Sequence, residues 1–319
     1  MPTGSGTSAA VAARRPEAAA RRRRALRRRR LADHAAGWAF VAPAAFLIGL
    51  FGFVAIGWSL VLSFQQSDLV TPGTWVGLDN YRRLLHDPIM RTAARNTVLY
   101  TVTFVPLSVG GGLLVALVLN RSMRFVKLYR TAVFVPVVTS TVATAVLFSW
   151  IFDPQFGLAN ALLAHAGIPK QGFLESTNQA LWVIEAMTIW GWIGFDVLIY
   201  LAALQDVPQE LIDAAAIDGA GRWQVFRRIT WPLLRPATLF LVVWSTINAM
   251  QLFDEIYVTT KGGPLNATTL VVYYLYQETF QSFQAGYGAA IAYALFLAIL
   301  AITGLQFLLA GRLGRRGTS

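Results

Sequence analysis

Six long apolar stretches dominate this sequence of 319 residues. A helix needs about 20 apolar residues to cross the hydrocarbon core of a bilayer, and each stretch reaches that length. Only 13% of the residues are charged, whereas about a quarter are charged in an average soluble domain. The sequence therefore predicts an all-α membrane protein with six transmembrane helices. The predicted spans cover residues 37–64, 96–119, 131–152, 180–204, 237–258 and 286–311.

The chain before the first predicted span is rich in arginine and alanine. Ten of the 27 Lys and Arg residues lie in the first thirty positions, without apolar periodicity. We expect residues 1–35 to form a disordered cytoplasmic tail. Its role is to fix the orientation of the N-terminus, and we expect it to have no nucleic-acid partner. Binding of RNA or anionic lipid is the alternative role for this tail. Residues 36–311 are expected to form the membrane domain, and residues 312–319 a basic cytoplasmic C-terminus.

The Lys and Arg residues between the predicted spans indicate which side of the membrane each connection occupies. Cytoplasmic connections retain an excess of these residues. With the N-terminus inside, 21 of them lie on cytoplasmic segments and 6 on outer segments. We therefore expect a multi-pass protein of the plasma membrane with both termini in the cytoplasm. The outer connections, 65–95, 153–179 and 259–285, are long and offer a surface on which another protein could dock.

The residue types argue against several kinds of site. The chain has no cysteine, which excludes thiolate metal sites and cysteine nucleophiles. The three histidines, His34, His86 and His165, are too far apart in the sequence for a metal-ligand spacing. A Ser/His/Asp elbow signature is also missing. We expect no catalytic residue, no metal and no cofactor.

The cytoplasmic connection 205–236 is predicted to have structure of its own. Asp206 can cap a short helix, and Gly219 indicates a tight turn because glycine accepts unusual backbone angles. A second helix is predicted from Arg222 until Pro232 stops it. Its apolar residues recur at every third position, at Trp223, Phe226 and Ile229. Such an element could sit in a cleft of a cytoplasmic protein, or lie as an amphipathic helix on the lipid headgroups.

Part of this connection resembles a known family motif. The stretch DAAAIDGAGRWQVFRRITWPLLRP is similar to the EAA loop of permease subunits of ATP-binding-cassette (ABC) importers, especially those of the carbohydrate-import branch. Two positions depart from the motif: Asp213 replaces a glutamate, which shortens the carboxylate arm, and Trp231 replaces a leucine. The resemblance implies that this loop couples the membrane domain to an ATPase. The implied coupling residues are Asp213, Ala214, Ala215, Gly219, Trp223, Phe226, Ile229 and Pro232.

Three further segments resemble sugar permeases, in the same order along the chain. They are VGLDNY at 76–81, FDP and GLAN within 152–160, and FDEIY and TKGGP within 253–264. The resemblance implies the six-helix permease fold, a second permease subunit in a heterodimer, two cytoplasmic ATPase subunits and an extracellular solute-binding protein. It implies a sugar or an oligosaccharide as the solute, with a polyol or a glycerol phosphate derivative as the alternative.

ATP-driven transport by such a chain requires ATP hydrolysis elsewhere. A phosphate-binding P-loop needs a lysine followed by serine or threonine. The lysines are Lys127, Lys170 and Lys261, and none has that neighbour. The chain is therefore expected to be a non-catalytic transport subunit.

Polar and aromatic residues in the fourth and fifth predicted spans are candidates for the solute pathway. Ionisable residues inside a span are costly, and by default they face the bundle interior or a water-filled path. Planar amides and aromatic faces are also groups that bind sugars. We expect the pathway to include Trp190, Asp196, Asn248, Gln251 and Asp254. The alternative is that the aromatic residues form an interfacial belt and that the amides join helices.

Two other classes of protein remain open at this point. An ion-coupled secondary transporter would bind its coupling ion at Glu185 and Asp196. A membrane scaffold with an RNA- or lipid-binding tail would transport nothing.

Overall fold

A computed structural model describes residue 34 and residues 37–68, 70–121 and 124–315, without the side chains of 312–315. The predicted disordered tail, apart from His34, and residues 316–319 of the predicted basic C-terminus lie outside this description. Residues 312–315 continue the last helix. The chain divides into two compact units, Met1–Val61 and Leu62–Ser319. Everything described below from Leu62 onward belongs to the second unit.

The described residues are mostly helical. In chain order the elements are α1 (Gly37–Ser63), β1 (Gln65–Gln66), β2 (Thr74–Trp75), α2 (Asp79–His86), α3 (Pro88–Leu119), α4 (Val126–Phe134), α5 (Thr141–Ile151), α6 (Leu158–His165), α7 (Ala180–Gln205), α8 (Gln209–Ile217), α9 (Arg222–Val225), α10 (Trp231–Met250), α11 (Asp254–Val258), α12 (Val271–Tyr276) and α13 (Ala285–Arg315). Strands β1 and β2 form a short antiparallel pair. Turns of 3₁₀-helix cover Val135–Val138 and Phe173–Glu175, and π-helical turns cover Gly49–Val54, Phe226–Thr230 and Gln277–Gln281.

Within the described part of the chain, five helical segments are long and apolar enough to cross a membrane. A sixth is obtained only if the pair Val126–Val138 and Thr141–Ile151, bent by 100° at its break, counts as one span. The prediction of a single span at 131–152 is therefore wrong as a continuous helix. Pro136 lies in the 3₁₀ turn before the break, and Thr139 is extended. A proline and an extended residue together interrupt the backbone ladder that a straight helix needs.

The second span begins eight residues earlier than predicted, at Pro88 instead of 96. The Asp87 carboxylate accepts hydrogen bonds from the backbone N–H groups of Ile89 (2.8 Å) and Met90 (3.2 Å). This is the geometry of a helix N-cap, and proline is favoured at the first position after such a cap. The polar first turns of α3 therefore extend the helix beyond its apolar stretch.

The predicted stop at Pro232 is also wrong. Helix α9 continues through the π-helical turn into α10, and both Pro232 and Pro236 lie inside this run. The Trp231 N–H donates to the Phe226 carbonyl, five residues back. Because a proline removes one i→i−4 bond, a wide turn just before it allows the helix to continue.

The core of the second unit lies where α3 packs against α7 and α10. The side chains of Tyr100, Tyr200 and Leu241 are completely buried there. A Cβ built on Gly112 would lie 2.5 Å from the Asp196 Cβ, and one on Gly111 would lie 3.2 Å from the Ile193 side chain. Gly111 and Gly112 therefore allow the close approach of α3 to α7.

Candidate functional site

The predicted coupling loop is a helix, a glycine turn and a second helix. Helix α8 begins at Gln209, and its N-cap is Pro208 without a side-chain hydrogen bond. Asp206 instead follows the end of α7, where its N–H donates to the Ala202 carbonyl. The prediction that Asp206 caps α8 is therefore wrong, although the helix itself lies where it was expected.

The end of α8 requires glycine. Gly219 has a φ of +76°, in the left-handed region that side chains with a Cβ disfavour. Its N–H donates to the Ala216 carbonyl (3.1 Å), and the Ala220 N–H donates to the Ala215 carbonyl (2.9 Å). This pair of bonds is a Schellman motif, which satisfies the last carbonyls of a helix. Gly219 thus sets the angle at which the chain leaves α8.

The acidic and alanine positions lie on α8 itself. Asp213 and Ala214 are exposed, and Ala215 is half-buried. The Asp213 carboxylate accepts a hydrogen bond from the Gln209 side chain at 3.0 Å. Described ion pairs do not include Asp213. Its carboxylate is accessible to a group on another chain.

Apolar side chains are exposed on this loop. Ile217 is 87% exposed and Trp223 is 69% exposed. The Trp223 and Phe226 rings stack at 5.6 Å, and Phe226 and Ile229 are half-buried. Pro232 is half-buried in the first turn of α10. Neighbouring exposed apolar side chains on a connection between spans can form an interaction site.

A cavity of about 170 Å³ lies between α3, α7, α10 and α11. Four of the five predicted pathway residues line it: Asp196, Asn248, Gln251 and Asp254. Trp190 does not. Its ring packs against Phe148 at 5.5 Å, and 43% of the residue is exposed. The structure therefore brings the acids and amides together and places Trp190 on a different face of α7.

The polar groups of the cavity are held by short local contacts. The Ser108 hydroxyl on α3 donates to the Asp196 carboxylate on α7 at 2.5 Å, and Asp196 is only 2% exposed. The Asn248 side-chain amide donates to the Trp244 carbonyl at 2.8 Å. This leaves the side-chain oxygen of Asn248, Oδ1, able to accept a hydrogen bond from a bound molecule.

Helix α3 contributes cavity residues that sequence reasoning missed. Tyr100, Phe104 and Ser108 line the same space, as do Thr141 and Thr188. These residues are uncharged at neutral pH and lie outside the polar clusters from which the pathway was predicted. The spacing of Tyr100, Phe104 and Ser108 at four-residue intervals places them on one helix face, and that periodicity was the available signal.

Glu185 lies apart from the cavity. It is 2% exposed, and the Thr103 hydroxyl donates to one of its oxygens at 2.9 Å. It is not among the residues that line the cavity, whereas Asp196 is. Glu185 therefore does not share this cavity with Asp196.

The motif residues of the predicted outer connections hold their own loops in place. The Asn80 side chain donates to the Ser63 carbonyl (3.0 Å) and the Gln65 carbonyl (2.9 Å). The Asn160 amide donates to the carbonyls of Pro154 and Gln171 and accepts from the Gln171 N–H. These asparagines satisfy backbone groups that the loops leave unpaired.

Comparison with known proteins gives a consistent result. A family model described as "Binding-protein-dependent transport system inner membrane component" matches residues 108–315. The chain is 37% identical over 276 residues to the lactose transport system permease protein LacF of Rhizobium radiobacter, covering 85% of this chain and 92% of LacF. It is 34% identical over 282 residues to the arabinooligosaccharides transport system permease protein AraP of Bacillus subtilis, covering 87% and 89% of the two chains.

A solved structure resembles the whole described fold. It is a chain of a bacterial ABC transporter involved in the import of the acidic polysaccharide alginate. The TM-score is 0.77 at 25% sequence identity, and the match covers 91% of this chain and 100% of that one.

Proposed function

This chain belongs to the family of binding-protein-dependent transport system inner membrane components, and from that premise we propose that it forms half of the translocation pathway of an ABC importer for a sugar or an oligosaccharide. The permease assignment inferred from the EAA-like loop is confirmed by this membership. The chain is a non-catalytic transport subunit of an inner-membrane complex. ATP is hydrolysed on separate subunits, in agreement with the lack of a lysine in P-loop context.

The complete importer contains a second permease chain, two ATPase subunits and an extracellular solute-binding protein. Lactose and arabinooligosaccharides in the names of two relatives support a saccharide as the solute here. A polyol or a glycerol phosphate derivative is the alternative within the same family.

The observation that carries the coupling role is the loop 205–236. Its exposed apolar side chains, Ile217 and Trp223, lie on either side of the Gly219 turn. The second helix of the loop runs without interruption into α10, which lines the cavity. A motion of a partner bound to this loop therefore reaches the cavity through continuous helix. We assign the coupling contacts to Asp213, Ala214, Ala215, Gly219, Trp223, Phe226, Ile229 and Pro232.

Replacement of Gly219 tests this role. Valine at a positive φ costs about 1–2 kcal/mol, which corresponds to a roughly 5–30-fold change in the population of the turn. We expect Gly219→Val to lower ATP-dependent uptake by about that factor, while the subunit still reaches the membrane. Uptake into proteoliposomes containing the whole importer, together with immunoblotting of the membrane fraction, measures both quantities.

Two matched variants control for effects other than backbone angle. Gly219→Asn introduces a side chain that tolerates the left-handed region and is expected to keep most of the uptake. Gly221→Ser changes a nearby glycine with a φ of −70°, the N-cap of α9, where an added Cβ meets only the Gln224 side chain at 4.0 Å. Serine is a favoured N-cap residue, so this variant should be neutral. If Gly219→Val transports normally, or if uptake follows an ion gradient with the ATPase inactivated, the coupling role is wrong.

We also propose that the cavity is part of the solute pathway, with Asp196, Asn248, Gln251 and Asp254 as contacts. Trp190 lies outside this cavity, but 43% of the residue is exposed. We therefore keep it as a proposed residue of another part of the pathway. In place of Trp190, the aromatic faces in the cavity come from Trp192, Phe195 and Trp244. Flat aromatic faces and a few placed polar groups are the ordinary composition of a small-molecule site.

A further inference from the structure

The cavity contains carboxylates but no basic side chain. Asp196, Asp254 and Glu255 line it, and its other lining residues are uncharged. Two ion pairs occur in the described part of the chain, Arg82–Asp79 and Arg83–Glu278, and neither involves a cavity acid. Within the part of the chain that the structure describes, no base therefore pairs with the carboxylates of the cavity.

The three carboxylates differ in position. Asp196 and Glu255 are only 2% and 5% exposed, so they lie in the wall. Asp254 is exposed and begins the short helix α11. An approaching solute therefore meets Asp254 together with the buried acids behind it.

The other groups of the cavity suit an uncharged saccharide. Trp192 and Trp244 are 37% and 41% exposed, and Phe195 lies 5.7 Å from the Trp244 ring. Aromatic faces offer apolar surface for the C–H face of a sugar ring. The amides of Asn248 and Gln251, with the carboxylates, can bind hydroxyl groups. None of these groups pairs with a negative charge in the way that arginine or lysine does.

Resting on the function proposed above, we propose that the solute carried through this cavity is an uncharged saccharide, and that the carboxylates of Asp196, Asp254 and Glu255 disfavour anionic ones. In this respect the chain differs from its structural neighbour, whose solute is the acidic polysaccharide alginate. A glycerol phosphate derivative is disfavoured on the same ground. At the dielectric constant of water, about 80, one carboxylate about 6 Å away raises the local concentration of a unit cation and lowers that of a unit anion by about threefold each, so it changes their ratio by about tenfold.

The absence of cysteine in this chain permits a direct measurement of the charge in the cavity. Gln251→Cys places a thiol in the lining. The whole importer, with any cysteines of the other subunits removed, is reconstituted in liposomes. It is then treated with methanethiosulfonate reagents of similar size, one bearing a trimethylammonium group and one a sulfonate. Each rate is divided by the rate of the same reagent with a free thiol in solution.

We expect the cationic reagent to react at least about tenfold faster than the anionic one after this correction. Adding Asp254→Asn should reduce the ratio by about tenfold, because one of the carboxylates is removed. Adding Asp79→Asn should leave the ratio unchanged, since Asp79 lies on α2 and does not line the cavity.

Equal rates, or a faster anionic reagent, would overturn the inference, because bases of the second permease would then dominate the assembled pathway. Failure of both reagents to react would also overturn it, since Gln251 would not face water. ATP-dependent uptake by the unmodified importer is measured in the same liposomes. Its persistence would leave the importer function standing even where the inference about charge fails, and its loss would count against the importer function itself.

Discussion

At the scale of single residues, Asp87 joins three elements at one end of the bundle. Its carboxylate caps α3 and accepts hydrogen bonds from the hydroxyls of Tyr274 on α12 (2.5 Å) and Tyr287 on α13 (2.7 Å). Burial alone raises the pKa of Asp87, but these two hydroxyls and the backbone N–H groups of Met90 and Ile89 outweigh burial and hold the pKa below its ordinary value.

This shift gives the stability of the protein a defined pH dependence. A carboxyl with a lowered folded-state pKa stabilises the fold above its unfolded pKa, about 3.9, and the contribution is lost as the pH falls through the lower folded value. We expect Asp87→Asn to lower the free energy of unfolding at pH 7 by about 1.5–3 kcal/mol, as for hydrogen bonds to charged groups. Thermal unfolding of the purified importer between pH 3 and pH 7 measures this difference.

The variant Asp79→Asn is the matched control for Asp87→Asn. In the described part of the chain, the ion pair that Asp79 forms is with Arg82, and 66% of the Asp79 side chain is exposed. Exposed pairs of this kind contribute about 0–1 kcal/mol. Two outcomes would show that Asp87 does not join these elements. The first is an equal loss of unfolding free energy at pH 7 in the two variants. The second is a loss of stability between pH 7 and pH 3 as large in the Asp87→Asn protein as in the unaltered protein.

At the scale of elements, the approach of α3 to α7 depends on one glycine face. Gly112 lies against Asp196 so closely that an added Cβ would come within 2.5 Å of the Asp196 Cβ. We expect Gly112→Ala to destabilise the assembled importer by about 1–3 kcal/mol, the usual cost of overpacking a core. The contact also positions the cavity, so solute uptake should fall with it. The midpoint of thermal unfolding and the uptake rate are the two measurements.

Gly110 provides the control within the same helix. A Cβ added there meets no atom within 4 Å. Gly110→Ala is expected to be neutral or to stabilise α3 by up to about 1 kcal/mol, because alanine is the better helix former. Equal destabilisation by both variants would mean that the contact between Gly112 and α7 does not account for the effect.

The sequence predicted the helices better than their interruptions. Apolar length located the spans because it reflects the thickness of the bilayer and needs no tertiary information. Pro232 was interpreted as a stop, since a proline breaks an isolated helix, whereas the π-helical turn at Phe226–Thr230 lets the helix continue. The cap at Asp87 was missed although Asp-Pro is a local signal. The predicted span follows the apolar stretch, which begins at residue 96, whereas the capped helix begins at Pro88.

The candidate cavity was predictable in part for a related reason. Charged residues and amides within spans stand out in a sequence, and four of these residues line one space. Tyr100 and Ser108 do not stand out, because the predicted apolar stretch 96–119 around them contains no charged side chain. Trp190 and Trp192 are two positions apart and therefore point in different directions on a helix. Only the packing of α3 against α7 decides which of them faces the cavity.

At the scale of the whole molecule, the distribution of charge across the membrane is the main argument for orientation. The segments assigned to the cytoplasm carry 21 of the Lys and Arg residues, and those assigned to the outside carry 6. Coupling requires the same orientation, because the ATPase subunits work in the cytoplasm. Charge and mechanism thus make one joint prediction about the location of the loop 205–236.

Labelling of single cysteines decides this orientation, because the natural chain has none. Ile217→Cys places a thiol on the exposed end of α8, and Thr177→Cys places one on the predicted outer connection, where the residue is also exposed. In spheroplasts, a membrane-impermeant maleimide should label the Thr177→Cys protein without permeabilisation. It should label the Ile217→Cys protein only after the membrane is permeabilised. Immediate labelling of the Ile217→Cys protein in intact cells would place the loop outside, where no ATPase subunit can reach it, and coupling through Gly219 would then be excluded.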